Sequence, residues 1–477
     1  MLKRRLFLFP LSFAILLVLA VSLDPFDSTA NELAHYIERK VEGENPLIAE
    51  LGGQVAKTLH AHDRLDALID TLPALKIGAQ AGITAADSAS KRHVTVNSVE
   101  QARAAIERAE AGDVITFLPG TYAFIGNNIA VSRPGLANAP IIVRAAQAGS
   151  VKLELALAEG FLVTAPYWIF ENLHLHGACL VPDSCDHAFH VVGNAHHFIA
   201  RNNTILDFNS HFKVNMENGL APDDGVLDHN TLSNTETRNT ERSVTLIDLV
   251  AASGWRIHHN LISDFIKDHS NKISYGVFAK GAGADNRIEY NLVICEHRLR
   301  NKAGQRVGIS LGGGGTGQAY CRDRRCISEQ DRGVIESNLI MSCSDDGIYL
   351  NKAASSRVSN NTLLNTQGLS VRFPESSADV EGNLVDGTIR ARDGGVLRAQ
   401  DNVDTNGVQK FFGDHSVLAL FQNPSSMDLR WRAGLLKRPV ALARRPPGST
   451  DLCGQKRNSQ SAPGAFDDFS ACLQDPH

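Results

Sequence analysis

The stretch YGVFAKGAGADNRIEYNLV, residues 275–293, alternates apolar and polar residues, breaks at a Gly/Ala/Asp/Asn cluster, and then alternates again. That pattern reads as strand, turn, strand. Two residues need explaining. Lys280 ends the first alternation, and Asn291 sits inside the second, where burial would leave a lone amide without partners.

The surrounding sequence explains Asn291. FENLHLHG, IARNNTILDF, VLDHNTLSN, RIHHNLISDF, RIEYNLVICE, VIESNLIMSC, RVSNNTLLNT, DVEGNLVDGT and LRAQDNVDT share an apolar-x-x-Asn-Leu/Thr-apolar core or a near variant. The aligned asparagines are Asn172, Asn203, Asn230, Asn260, Asn291, Asn338, Asn361, Asn383 and Asn402, spaced 19 to 31 residues apart except for one interval of 47. Short strands and polar turns at that period predict an all-β chain wound as a right-handed parallel β-helix. Coils stack about 4.8 Å apart, so equivalent side chains touch, and each asparagine finds amides above and below it. Leucine-rich repeats need denser leucine, and a propeller needs four strands per unit. The long interval holds GGGGTGQAYCRDRRCISEQDRG, residues 312–333, which reads as an insertion bulging from one coil.

A solenoid absorbs the 477 residues and 43% hydrophobic content without several cores. The net charge of −5 gives no electrostatic case for nucleic acid. Residues 1–30, with Lys3, Arg4 and Arg5 ahead of an apolar run, read as an export signal or, if uncleaved, a membrane anchor through residues 6–23. Residues 31–90 have helical spacing and read as a spacer or subdomain. The β-helix is expected over 91–425 and a closing segment over 426–477. In SVEQARAAIERAE, Ser98 and Gln101 form a capping-box pattern, so a helix is expected to cover the open end of the stack. The eight cysteines fall into close or repeat-related pairs, Cys179 with Cys185, Cys295 with Cys343, Cys321 with Cys326 and Cys453 with Cys472, which suits disulfides in a periplasmic or extracellular protein.

Four coils align on a glycine ahead of the asparagine turn: GVFAK from Gly276, GISLG from Gly308, GIYLN from Gly347 and GLSVR from Gly368. The first and third residues after the glycine are apolar and point inward, so Phe278 and Lys280, Ser310 and Gly312, Tyr349 and Asn351, and Ser370 and Arg372 point outward. Earlier strands add Lys213, Asn215, Glu217 and Asp248 to this face, and a later one adds Arg390 or Arg392. Such a strip suits an anionic polysaccharide. It also holds the parts for uronate β-elimination: a base for the C5 proton, a cation for the carboxylate and an acid for the departing oxygen. Lys280 is the expected base, with a nearby Arg372 or another cation favouring its neutral form, and Tyr349 is the expected acid. Lys213, Asn215, Asp248, Asn351 and Arg390 are expected to bind substrate.

VNSVEQARAAIERAEAGDVITFLPGTYAF, followed by APIIVRAAQAGSVKLE, resembles the opening of the alginate lyase and chondroitinase B group of parallel β-helix polysaccharide lyases. The likeness covers residues 93–155 by motif and continues to about 410 by coil pattern. STDLCGQKRNSQSAPGAFDD is similar to the closing segment of secreted bacterial β-helix proteins. The resemblance implies a lysine base and an arginine on neighbouring coils, and a calcium ion held by an asparagine and two glutamates. No Glu-x-Glu strand with a following lysine is present, and NMENG supplies only Asn215 and Glu217, so the calcium ligand pattern is unmatched.

Other readings remain open. Asp345 and Asp346 are the pair on which a glycoside hydrolase would rest, and the same surface also fits a non-catalytic carbohydrate-binding solenoid. His190, His196, His197, His258 and His259 lack a metal-site spacing and read as structural, with AHH and IHHN at turns, and no metal is assigned. LGGGGTG lacks the Gly-Lys-Ser/Thr ending of a phosphate loop. A monomer is expected.

Overall fold

The computed structural model describes residues 45–63, 71–83, 92–300, 302–313, 315–405, 414–432, 449–458 and 461–474, with residues 34, 37, 38, 40, 41, 69 and 410. The export signal or anchor expected over residues 1–30 lies outside the described residues. No helix among those described is long and apolar enough to cross a membrane. Two compact units are present. The smaller holds the helix Pro46–Asp63, with Ala34, Ile37 and Ala56 in a small apolar cluster.

The larger unit is a right-handed parallel β-helix of three long sheets. Sheet A has twelve strands from Arg92–Val96 to Val396–Gln400, sheet B eleven from Gly120–Ile125 to Val403–Asp404, and sheet C ten from Ile129–Val131 to Thr388–Arg392. A coil runs A, B, C; one example is Arg256–His258, Leu261–Ser263 and Ile273–Lys280. Inside sheet C, Phe161, Phe189, Phe212, Ile247, Val277, Ile309, Ile348 and Leu369 pair in register, and all are fully buried. The first three rings stack at centroid distances of 5.2 Å. The aligned glycines are steric: a Cβ on Gly276 would lie 2.7 Å from the Gly308 carbonyl oxygen, and one on Gly308 2.6 Å from that of Gly347.

The asparagine column forms the turn from sheet A to sheet B. Each side-chain oxygen accepts from both the backbone N–H and the Nδ2 of the asparagine one coil earlier, running from Asn203 through Asn230, Asn260, Asn291, Asn338, Asn361 and Asn383 to Asn402. Every Nδ2-to-Oδ1 step is 2.9 or 3.0 Å. The residue before each ladder asparagine takes a left-handed conformation, from φ +51° at His229 to +67° at Gly382. Asn172 departs from expectation. It occupies that left-handed position itself, at φ +61°, and accepts from Asn202 Nδ2, while Leu173 holds the ladder position and donates its N–H to Asn203. The ladder therefore has eight members.

The helix Val99–Glu107 buries Ala102 and Ile106 over the first coil. Ser98 caps Gln101 N–H, but the Gln101 side chain bonds the Asn97 N–H, one residue before the expected partner. All eight cysteines pair as the spacing anticipates. The outer face of sheet B is roofed over its later coils, where Ile69, Leu75, Ile77, Phe421, Phe466 and Phe469 pack on Leu292, Leu339, Met341 and Leu364.

Asn260→Ala would strand the Asn230 N–H and amide and two buried carbonyls, whereas Asn402→Ala acts on a half-buried end of the ladder. Denaturant unfolding followed by circular dichroism is expected to show a loss of about 3 kcal/mol or more for the first and distinctly less for the second. Equal losses would contradict a ladder satisfied from both sides.

Candidate active site

Because the core column of sheet C is fixed, the next residue of each strand faces out. That outer column reads His190, Lys213, Asp248, Phe278, Ser310, Tyr349, Ser370, Arg390. Two residues further along lie Asn215, Val250 and Lys280 on three neighbouring strands, and Asn351, Arg372 and Arg392 on three others. Every residue assigned to the site from the sequence lies on this sheet. Glu217 does not: it sits in the turn that bridges to Leu220.

Asp248 is the electrostatic centre of the first half. It is 1% exposed, with Lys213 Nζ 2.6 Å from one oxygen and Lys280 Nζ 3.3 Å from the other. Burial pushes its carboxyl pKa up, but the two ammonium groups together pull harder and bring it down to about 2. Lys280 Nζ also lies 3.9 Å from the centroid of the Phe278 ring, which stacks on Tyr275 at 4.3 Å.

The second half is built on Tyr349. Its hydroxyl oxygen accepts from Arg372 Nη1 at 3.3 Å and Asn351 Nδ2 at 3.2 Å. Burial raises the Tyr349 pKa while Arg372 opposes the rise. Arg372 is also held by Asp393 at 2.5 Å, and Arg390 donates to Ser370 Oγ at 3.1 Å. Between the two halves, Ser310 and Gly312 put little side chain on the surface.

The structure corrects the pairing of Lys280 with Arg372. Their strands are separated by two others, Gln305–Leu311 and Ile348–Asn351, so the backbones stand about 14 Å apart. The cation that shares a counter-ion with Lys280 is Lys213. His190 also stands on this face. It lies within the strand His187–Val192, opposite Lys213, with its ring nitrogens 3.0 Å from Glu159 and 2.7 Å from Asn215. Burial lowers its pKa, yet Glu159 and Asn215 outweigh that and leave it raised. Sequence reasoning missed His190 because its strand, HAFHVV, carries no aligning glycine; matching Phe189 to Phe212 would have found it. IHHN is split in the same way, with His258 ending a strand and only His259 in the turn.

The insertion after Gly312 forms a wall. Gly313 packs its backbone against the Phe278 ring, and Arg322 reaches back across earlier coils, bonding the Gly281 carbonyl through its N–H and both Asp223 oxygens at 2.7 Å through its guanidinium. Cys321–Cys326 closes the loop. Asp345 spends its carboxylate on the Asp346 N–H and Gln305 Nε2, which is turn architecture and weakens the hydrolase reading.

The donors around Asn215 do not fit calcium, which takes six to eight oxygens. The Asn215 oxygen faces His190, Glu159 is held by the other nitrogen of that ring, and Asp248 is already held by two ammonium groups. No step is assigned to a metal at this sheet.

No family model and no curated protein matches the chain. Among solved structures it is similar to the pectate lyase Pel9A at 16% identity and TM-score 0.54, covering 80% of this chain and 97% of that one. An alginate lyase from Paenibacillus sp. str. FPU-7 aligns at 14% identity and TM-score 0.34, covering 66% and 96%, and the PL6 family polysaccharide lyase Pedsa3628 from Pseudopedobacter saltans at 14% and 0.33, covering 70% and 98%. At such identities it is the fold that the likeness to Pel9A establishes: a parallel β-helix over most of the larger unit.

Proposed function

We propose that this chain is an exported polysaccharide lyase that cleaves a uronate-containing polymer by β-elimination. The observation that carries the reading is one buried carboxylate, Asp248, shared by two lysines on the open sheet that also presents the Tyr349–Arg372 pair. Two ammonium groups against one carboxylate leave a positive charge over, which attracts a polyanion. Four disulfides and the apolar N-terminal run support export.

In this mechanism the sugar to be cleaved lies across Ser310 and Gly312. Lys280, the looser partner of Asp248, first gives its ammonium proton to solvent, leaving Lys213 to balance Asp248. It turns toward Ser310 as a neutral amine to take the C5 proton, while Arg372, reaching in from beyond Gln305–Leu311 and Ile348–Asn351, holds that sugar's carboxylate so that charge can build there. The C5–H electrons form the C4–C5 double bond, the bond from C4 to the glycosidic oxygen breaks, and Tyr349 gives its proton to that oxygen. Arg372 and Asn351 both donate to the Tyr349 oxygen, which leaves its own proton free to point at the leaving group. Lys213, Asn215 and Arg390 hold neighbouring sugars. The hydrolase and pure binding alternatives differ in product: neither yields an unsaturated uronate.

The assay is ultraviolet absorbance of unsaturated products on alginate, chondroitin, dermatan, heparinoid and pectin. Lys280→Ala is expected to abolish turnover with the thermal transition nearly unchanged. Lys280→Arg keeps the charge but cannot give up its proton, so it should be as inactive as the alanine variant, and an active Lys280→Arg removes Lys280 from the base role. Turnover is expected to persist in EDTA.

Asp248→Asn leaves two ammonium groups without their counter-ion and is expected to cost roughly 3 kcal/mol. The pKa of Asp248 is depressed on folding, so its stabilising effect is complete above the ordinary carboxylate pKa of about 4 and is lost as pH falls toward about 2. Denaturant midpoints of wild type and Asp248→Asn should therefore converge over that window. A gap independent of pH would show that the carboxylate charge is not what matters.

A further inference from the structure

Sheet A carries a cluster that the proposed reaction does not use. Asp228 and His258 end neighbouring strands and pair in register, and His229 and His259 follow them at left-handed turn positions. His258 Nδ1 lies 3.1 Å from Asp228 Oδ1 and 3.0 Å from His259 Nδ1, and His259 Nδ1 lies 4.0 Å from the same oxygen. His229 Nδ1 is 2.5 Å from that oxygen, and its ring stacks flat on His259 at a centroid distance of 4.7 Å and an interplanar angle of 4°.

Hydrogen bonding serves this arrangement poorly. Asp228 always has His229 as a donor, but a proton on His258 Nδ1 can point at Asp228 or at His259 and not at both, so one of its two close approaches, 3.1 Å or 3.0 Å, carries no proton from it. A cation answers all three atoms together. A single point lies about 2.0 Å from Asp228 Oδ1, His258 Nδ1 and His259 Nδ1, within the range of zinc–nitrogen and zinc–oxygen bonds. The three side chains are 29%, 16% and 30% exposed, so an ion can enter from solvent.

We propose that Asp228, His258 and His259 bind a divalent first-row transition metal of the zinc type that clamps two adjacent coils. Two imidazoles and one carboxylate select such a metal over calcium or magnesium, and water completes the coordination. His229 supports the site from outside by donating to the Asp228 carboxylate, and Tyr290 stacks on the far face of the column at 5.3 Å from His259. The site lies on sheet A, whereas Asp248 and its lysines lie on sheet C, so the clamp is separate from the proposed reaction.

The test is isothermal titration of the untagged, chelator-treated full chain with zinc chloride, with bound metal counted after dialysis. Wild type is expected to bind one zinc per chain. His258→Ala and Asp228→Asn should bind at least about tenfold more weakly. His259→Phe keeps the ring stack and removes only the ligand nitrogen, so it should lose zinc with its circular dichroism spectrum unchanged. His269→Ala, a histidine of an exposed loop, should bind as wild type does. Absence of zinc from wild type, or undiminished binding by His259→Phe, would overturn the site.

Discussion

The interaction on which the rest depends is the amide-to-amide bond between successive asparagines. A buried amide has four hydrogen-bonding positions to fill, and a stack of coils fills them only if each asparagine stands directly over the last. The ladder from Asn203 to Asn402 meets that demand at every step. It does so with a left-handed residue ahead of each asparagine, a conformation that asparagine, aspartate and glycine accept more readily than most. His229, His259 and Tyr290 occupy it because the bonded turn overrides local preference. Their rings then have nowhere to go but onto each other, and a stacked column on the outside of the turn is the by-product.

Fixed register on one side of the coil fixes it on the others. Lys213, Asp248 and Lys280 are more than thirty residues apart in sequence, yet they meet because each belongs to a strand held in alignment by the turn that precedes it. Charges so placed can balance across strands. Arg201 meets Glu171 on sheet A, and on sheet C Asp248 is met by Lys213 directly opposite it and by Lys280 diagonally from the strand on its other side. An insertion in a loop, even one as long as 312–333, leaves such pairings intact. A single residue added within a strand would turn its outward set inward.

Much of this was legible because alternation and period are properties of the chain itself. The outward facing of Lys280, Tyr349, Arg372 and Arg390 follows from two inward apolar residues per strand, and the four cysteine pairs follow from spacing and coil equivalence. Asn172 was misplaced by one residue because identity of residue type was aligned where conformation sets the register. Distance along the stack was as legible as facing, since the four glycine-aligned strands put two others between Lys280 and Arg372. What the sequence does not carry is which neighbour each side chain turns to, and Lys280 turns to Asp248. The path of Arg322 back to Asp223 has no signal in the sequence, since two surface charges far apart become partners only through the loop that carries one of them.

The three outer faces divide the work in a way the coil itself imposes. Over its later coils sheet B is covered by the chain's own apolar segments, so that stretch contributes stability. Sheet A turns into the asparagine ladder through two residues, which keeps its edge tight and crowds ring nitrogens and a carboxylate together. Sheet C is entered and left through longer loops, and it carries the longest strands, including Val244–Val250, Ile273–Lys280 and Gln305–Leu311. Long strands with loops on either side make a floor with walls, the shape that an extended polymer fits. The burial of Asp248 beneath Lys213 and Lys280 places the anchoring negative charge in that floor and the ammonium groups above it, at the level where a sugar carboxylate would arrive.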